Sequence, residues 1–208
     1  MCGIIGMIGA NSVVPYILEG LRRLEYRGYD SAGISTLVKG VVNRRRAEGK
    51  LAKLEKKLKD KPLTGNIGIG HTRWATHGAP NLINAHPHVS GPVSVVHNGI
   101  IENHKKLRTD LVASGFVMET DTDTEVVAHL VKYYHDQGLV PEEIMRSIIE
   151  RLNGAYALVI MIADYPGTLM AARKSSPLAI GYGNEAMFIG SDAWALGPIT
   201  RRISYLED

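Results

Sequence analysis

Cys2 stands directly behind the initiator methionine and is the one cysteine of this sequence. If Met1 is removed, Cys2 carries a free α-amine beside its own thiol. An α-amine titrates near ~8 and a thiol near ~8.5, so the two are matched closely enough to pass a proton, directly or through a water. That pairing is a nucleophile with its own base, the device that an N-terminal threonine and its amine also form. While Met1 stays attached, the Cys2 nitrogen is an amide and no base is present. The plainer reading of the same residue is a small apolar side chain opening a buried strand, so support for the chemistry has to come from elsewhere in the chain.

The stretch His71-Thr72-Arg73-Trp74-Ala75-Thr76-His77-Gly78 sets a guanidinium, an indole, two hydroxyls and two imidazoles at the end of a short apolar run, and a long polar loop follows to His88. Loops of this length and content bind more often than they merely connect. The planar fork of Arg73 suits a ligand carboxylate, to which it can donate two parallel hydrogen bonds. The competing reading makes Arg73 a structural ion pair and Trp74 a core residue. His71, His77, His86, His88 and His97 crowd the same region and raise the question of zinc, which takes three or four defined ligands. Proline inside His86-Pro87-His88, and no acidic or cysteine partner at a useful spacing, weigh against it. No metal is predicted.

Asn98-Gly99 lies between apolar pairs, which is the strongest short hairpin signal. A turn there would hold the Asn98 amide and the Gly99 backbone N–H side by side, the composition of an oxyanion hole. Downstream, Thr120 to Glu125 supplies a candidate helix start, with Asp121 or Thr122 as the cap and Asp123 and Glu125 in the first turn, where the helix dipole favours negative charge.

These groups need elements to position them. Cys2 to Ile8 is apolar and predicts a buried strand. Ser12 is placed to cap a helix whose apolar residues Val14, Ile17, Leu18, Leu21 and Leu24 form one stripe. Strands are predicted at Ile34–Val38, Val41–Arg45, Ile67–His71, Val93–His97, Tyr156–Ile162, Leu169–Arg173, Ala179–Gly181, Ala186–Ile189 and Arg202–Leu206. Helices are predicted at Leu51–Leu58, from Asn103 to Gly115, at Val126–Tyr134, at Pro141–Leu152 and briefly at Asp192–Leu196. Residues 44 to 61 are rich in Arg and Lys, yet no aromatic interrupts them to stack on a base. A solvated helix face is expected there, and no nucleic acid.

With 208 residues, 45% hydrophobic and 22% charged, the chain has the composition of an ordinary globular domain, read as one domain over residues 1–208. The net charge of +3 is too small to imply a polyanionic partner. No apolar run approaches a membrane span and no export signal opens the chain. A single cysteine suits a reducing, cytoplasmic setting.

Cys2-Gly3-Ile4, the run from Arg22 through Tyr26-Arg27-Gly28-Tyr29-Asp30-Ser31-Ala32 to Gly33, His71 to Gly78, His86-Pro87-His88, His97 to Asn103 and Thr120 to Glu125 occur in that order. Together they resemble the glutaminase domains of the glutamine–fructose-6-phosphate transaminases, within the amidotransferases that use an N-terminal nucleophile. The resemblance covers essentially the whole chain. It implies an α+β fold, the four-layer αββα sandwich of N-terminal-nucleophile hydrolases with two mainly antiparallel sheets. It implies hydrolysis of the L-glutamine side-chain amide without a cofactor. In its terms Cys2 is the nucleophile, its freed amine the base, and Asn98 and Gly99 the oxyanion hole. Arg73 clamps the glutamine α-carboxylate and Asp123 accepts from its α-ammonium. Thr76 and His77 line the site, Trp74 and its loop close over it, and Arg27 supports the nucleophile end. If Met1 is retained, the same resemblance leaves an inactive glutamine-binding module. The family continues into a sugar-phosphate isomerase region that uses the ammonia to make glucosamine 6-phosphate, with a homodimer expected of the full enzyme and a monomer open to the isolated domain. Without that region the expected products are glutamate and free ammonia.

Overall fold

The computed structural model describes residues 2–208. The chain runs β1 (Gly3–Gly9), α1 (Val14–Leu24), β2 (Ser31–Val38), β3 (Val41–Glu48), α2 (Leu51–Asp60), β4 (Ile67–Arg73), β5 (His88–Ser90) and β6 (Val93–Ile101). It continues through α3 (His104–Ala113), α4 (Asp123–Asp136), α5 (Pro141–Arg151), β7 (Gly154–Ile162), β8 (Leu169–Lys174), β9 (Ala179–Tyr182), β10 (Ala186–Gly190), α6 (Ala193–Leu196) and β11 (Ile203–Tyr205). Seven strands form one sheet in the order β11-β9-β10-β1-β4-β2-β3, and four form the other in the order β5-β6-β7-β8. Neighbouring strands pair antiparallel throughout.

The strand alternation builds the layers. Successive side chains on a strand point to opposite faces, and here both faces of the central strands are buried, which is why they read as continuous apolar runs. On β7, Leu158, Ile160 and Ile162 join Val126, Leu130, Ile144 and Ile148 of α4 and α5 in one core. Ala157, Val159 and Met161 of the same strand turn the other way and meet Ile4, Ile67 and Ile69 of the larger sheet. On β1, Ile5 faces Ile17, Leu21 and Leu54 of α1 and α2 in a third core. The order helix, sheet, sheet, helix is the αββα sandwich.

Three local readings change. The helix-start residue of α1 is Val13 and no side chain caps it, so Ser12 does not cap the helix; Pro15, in its first turn, suits a start where N–H groups are unpaired anyway. Asn98-Gly99 is not a hairpin turn. β6 runs straight through it, with Asn98 opposite Ala157 and Gly99 opposite Tyr156 on β7. The short strand β5 lies where only loop was expected.

The topology brings distant residues to one end of the sandwich. Antiparallel pairing of β1 with β4 sets Gly3 opposite Thr72, and pairing of β2 with β4 sets Ser31 opposite Arg73. The start of β1, the end of β4, the end of β6 and the start of α4 therefore converge.

Candidate active site

A cavity of about 230 Å³ opens at that end, lined among others by Cys2, Arg73, His97, Asn98, Gly99 and Asp123. Its size lies below the ~300–1,000 Å³ of drug-sized sites, which suits a ligand of amino-acid dimensions. Arg27, Trp74, Thr76 and His77 also line it, so every residue that the family resemblance assigns to the glutamine site reaches one cavity.

Cys2 is partly buried just ahead of β1. Its Sγ lies 3.2 Å from the Trp74 backbone N–H, which donates to it, and 3.4 Å from the Trp74 carbonyl, which can accept from the thiol. Burial pushes the thiol pKa up, and the Trp74 N–H partly opposes this. A thiol held neutral in this way needs a base close by. The expected removal of Met1, which would supply that base, lies outside the described residues.

Asn98 is fixed at both ends of its amide. Its Nδ2 donates to the Cys2 carbonyl at 3.0 Å, and its Oδ1 sits 3.0 Å from His71 Nε2. Beside it, Gly99 has φ of +120°, and a Cβ there would fall 2.0 Å from the Ala155 carbonyl oxygen. Only glycine fits both demands.

Arg73 closes β4, almost wholly buried. Its guanidinium donates to the carbonyls of His77, Gly78 and Ala79, with the Asp30 carboxylate 3.9 Å away. These contacts do not exhaust the five N–H donors of a guanidinium. The loop after β4 is thus folded over Arg73, and Asp30 also accepts from the Ala75 N–H. Gly28 permits this, since a Cβ there would lie 2.6 Å from the Arg73 carbonyl carbon. Trp74 is half exposed and meets Tyr29 edge-on, with ring centroids 5.4 Å apart. Arg27 pairs with Asp192, the residue that caps α6 through the Trp194 N–H.

Asp123 is the first residue of α4. Its Oδ2 accepts from the Ile101 N–H at 2.8 Å, while Thr122 caps the helix by accepting from the Glu125 N–H. The helix dipole and that bond hold a buried carboxylate at the cavity wall.

The histidines form a stack. The His71 and His86 rings lie 4.0 Å apart at 23°, and His88 meets His86 edge-on at 4.8 Å. Thr124 Oγ1 bridges His86 Nε2 and His97 Nδ1, each at 2.9 Å, and Thr122 Oγ1 lies 3.2 Å from His88 Nε2. Among the described residues, no group of three or more His, Cys, Asp or Glu is placed to hold a metal ion. Burial pushes all four histidines down, His71 to about 3. Sequence reasoning weighed these rings as ligands and so missed His97 and Thr124 as cavity wall. It also missed Ser176 and Pro177, which line the cavity from beyond β8. Their one local sign, the left-handed φ of 58° at Ser175, is invisible in residue types.

Two facing antiparallel sheets under helices, with a cysteine at their shared end, define the N-terminal-nucleophile class of amidotransferase fold. A glutamine phosphoribosylpyrophosphate amidotransferase from B. subtilis, solved with ADP and GMP, superposes on 99% of this chain and 44% of its own with TM-score 0.82 at 27% identity. A glutamine aminotransferase class-II domain protein from Silicibacter pomeroyi shares the fold at 14% identity, TM-score 0.59, covering 91% of this chain and 88% of its own. The glutamine amidotransferase domain pattern matches residues 81–198, and the chain belongs to that family. It is 56% identical over 208 residues to the glutamine–fructose-6-phosphate aminotransferase (isomerizing) of Rhizobium meliloti strain 1021, and 57% identical over 209 residues to that of Gluconobacter oxydans strain 621H. In both cases 100% of this chain and 34% of the relative are covered, so the chain spans about a third of the length of these relatives.

Proposed function

We propose that this chain hydrolyses the side-chain amide of L-glutamine to glutamate and ammonia through a γ-glutamyl thioester on Cys2. The observation that carries this reading is the convergence in one cavity of a thiol just ahead of β1, an amide-glycine donor pair on β6, a buried guanidinium at the end of β4 and a buried carboxylate at the start of α4.

The Cys2 sulfur attacks the amide carbon, its proton passing to the Cys2 α-amine once Met1 is gone. The oxyanion that forms is held by Asn98 Nδ2 and the Gly99 N–H. The tetrahedral intermediate collapses, the C–N bond breaks, and ammonia leaves with the proton returned by the α-ammonium. Water, deprotonated by the same amine, then attacks the thioester and releases glutamate. Arg73 holds the substrate α-carboxylate and Asp123 its α-ammonium, so free glutamine is chosen over glutamine inside a peptide, which lacks both charges. Thr76 and His77 line the site, Trp74 covers it, and Arg27 braces the nucleophile end. In a full-length protein like the relatives above, the ammonia would serve an isomerase region in making glucosamine 6-phosphate.

Intact mass before and after treatment with a diazo-ketone analogue of glutamine tests the reading. The expected result is loss of one methionine, then gain of one analogue mass that is absent in Cys2→Ala, with turnover abolished in that variant. A processed protein that takes up no analogue, or Cys2→Ala that still hydrolyses glutamine, overturns it. A chain that keeps Met1, binds glutamine and does not turn it over is the inactive binding module.

A further inference from the structure

Asparagine is an ambiguous donor. Its carbonyl and amino ends are nearly the same shape, and a half-turn about the last bond exchanges them. If Asn98 stabilises an oxyanion, the difference is decisive: Nδ2 toward the developing charge attracts it, and Oδ1 in the same place repels it. Something must set the amide one way round.

We propose that His71, through its Nε2–H, is a positioning residue that fixes the orientation of the Asn98 amide and so aims Nδ2 into the cavity. The inference rests on the glutaminase reading for its consequence, but the geometry that carries it is independent. His71 Nε2 lies 3.0 Å from two oxygens, the His97 backbone carbonyl and Asn98 Oδ1. A backbone carbonyl can only accept. The nitrogen facing it must therefore carry the ring proton, which makes the atom of Asn98 that faces His71 the acceptor, Oδ1. Nδ2 is left to point the other way, where it reaches the Cys2 carbonyl at 3.0 Å. That second carbonyl also demands a donor. A chain of fixed polarity runs from the backbone of β6, through a ring on β4, to the amide beside the nucleophile.

The ring itself is well held. His71 is fully buried, it stands in β4 between β1 and β2, and the His86 ring covers its face. His86 is in turn tied to Thr124 at the start of α4. Burial keeps His71 neutral, so its tautomer sets the polarity. Among the described residues, no hydrogen-bond partner reaches its Nδ1, as suits the nitrogen without the proton.

The test uses the full chain with Met1 removed. Nitrogen-15 shifts of the His71 ring in the wild type should show Nε2 protonated and Nδ1 bare; the opposite tautomer overturns the inference, whatever the enzyme does. In kinetics, His71→Leu should lower kcat by about 10- to 100-fold with KM for glutamine within about twofold, a loss bounded by that for removing one oxyanion donor. His71→Gln, whose amide nitrogen can replace Nε2, should restore kcat to within about threefold of wild type. In an Asn98→Ala background, His71→Leu should change kcat by less than about twofold, since its effect runs through Asn98. Equal losses from Leu and Gln, or full additivity with Asn98→Ala, overturn the inference. Absence of turnover in the processed wild type refutes the glutaminase reading instead, and the tautomer still decides the orientation.

Discussion

At the scale of single residues the site separates charge from chemistry. Cys2 is held near neutrality by burial, whereas the two groups assigned to the substrate's own charges, Arg73 and Asp123, are buried ions fixed by backbone atoms. Asp123 illustrates how the roles can be parted. Asn in its place can still accept from the Ile101 N–H, so the structural bond survives and only the charge is removed. A charge-assisted hydrogen bond is worth ~1.5–3 kcal/mol, a factor of about 10 to 150. Asp123→Asn is therefore expected to raise KM for glutamine by at least about tenfold while kcat stays within about threefold. Steady-state kinetics decide it, and an unchanged KM removes Asp123 from substrate binding. Residue types alone mark Cys2 as a candidate nucleophile and Arg73 as a candidate carboxylate clamp, whereas the role proposed for Asp123 comes from the family resemblance, since a carboxylate in the first turn of a helix also suits the helix dipole alone. The role proposed for His71 was not legible in residue types. Imidazole suits many tasks, and spacing in the sequence, though it weighed against a metal, could not show the stacked, hydroxyl-bonded arrangement that the rings take.

Elements decide what residue types leave open. The apolar runs of β1, β4, β6 and β7 are readable as strands, and their burial on both faces follows from the alternation between cores. Asn98-Gly99 misled because the hairpin preference is local, while β7 arrives from residue 154 onward and extends the ladder across it. Arg44 and Arg46 on β3 were expected among solvated charges. Instead they reach the carbonyls of Pro87, Ile83 and Ala85 and brace the polar loop before β5, and burial lowers Arg46 to about 10. Gly99 shows how an element and the site share one residue. Gly99→Ala puts a methyl 2.0 Å from the Ala155 oxygen at a φ of +120°, so β6 and β7 must separate locally. Backbone strain of this kind costs ~1–3 kcal/mol, about 2–12 °C of melting temperature for a chain of this size. Turnover should fall by at least about 100-fold because the Gly99 N–H moves with the strand. Melting curves beside kinetics check this; full activity in a destabilised Gly99→Ala would remove the Gly99 N–H from the oxyanion hole.

For the whole molecule, the same buried histidines that shape the site link its stability to pH. His71, His86 and His88 are buried in the fold, and burial, which disfavours the charged ring, lowers each of them. The unfolded chain has no such constraint and takes up protons near the ordinary ~6.5. The folded values lie below the unfolded ones, so the native state refuses protons that the unfolded state accepts. Stability present above ~6.5 is lost as pH falls through the window between ~6.5 and the folded values, which for His71 extends to about 3. Each such proton contributes ~1.4 kcal/mol per pH unit below ~6.5. His71 alone thus removes ~1.4 kcal/mol between pH 7.5 and 5.5, and His86 and His88, lowered by the same burial, act in the same direction, against the ~5–15 kcal/mol that holds an ordinary domain together. Carboxylates act later. Burial would raise Glu125, but the neighbouring His129 and the N–H groups of Glu119 and Thr120 outweigh it and hold it at about 2, so its contribution is lost only below the ordinary carboxylate range. Urea unfolding at a series of pH values should accordingly show a steep loss of stability between pH 6.5 and 5, with two or more protons taken up per molecule on unfolding. A flat profile in that interval would mean that the rings are hydrated or charged in the native state, and with that the fixed polarity assigned to the stack would fail as well.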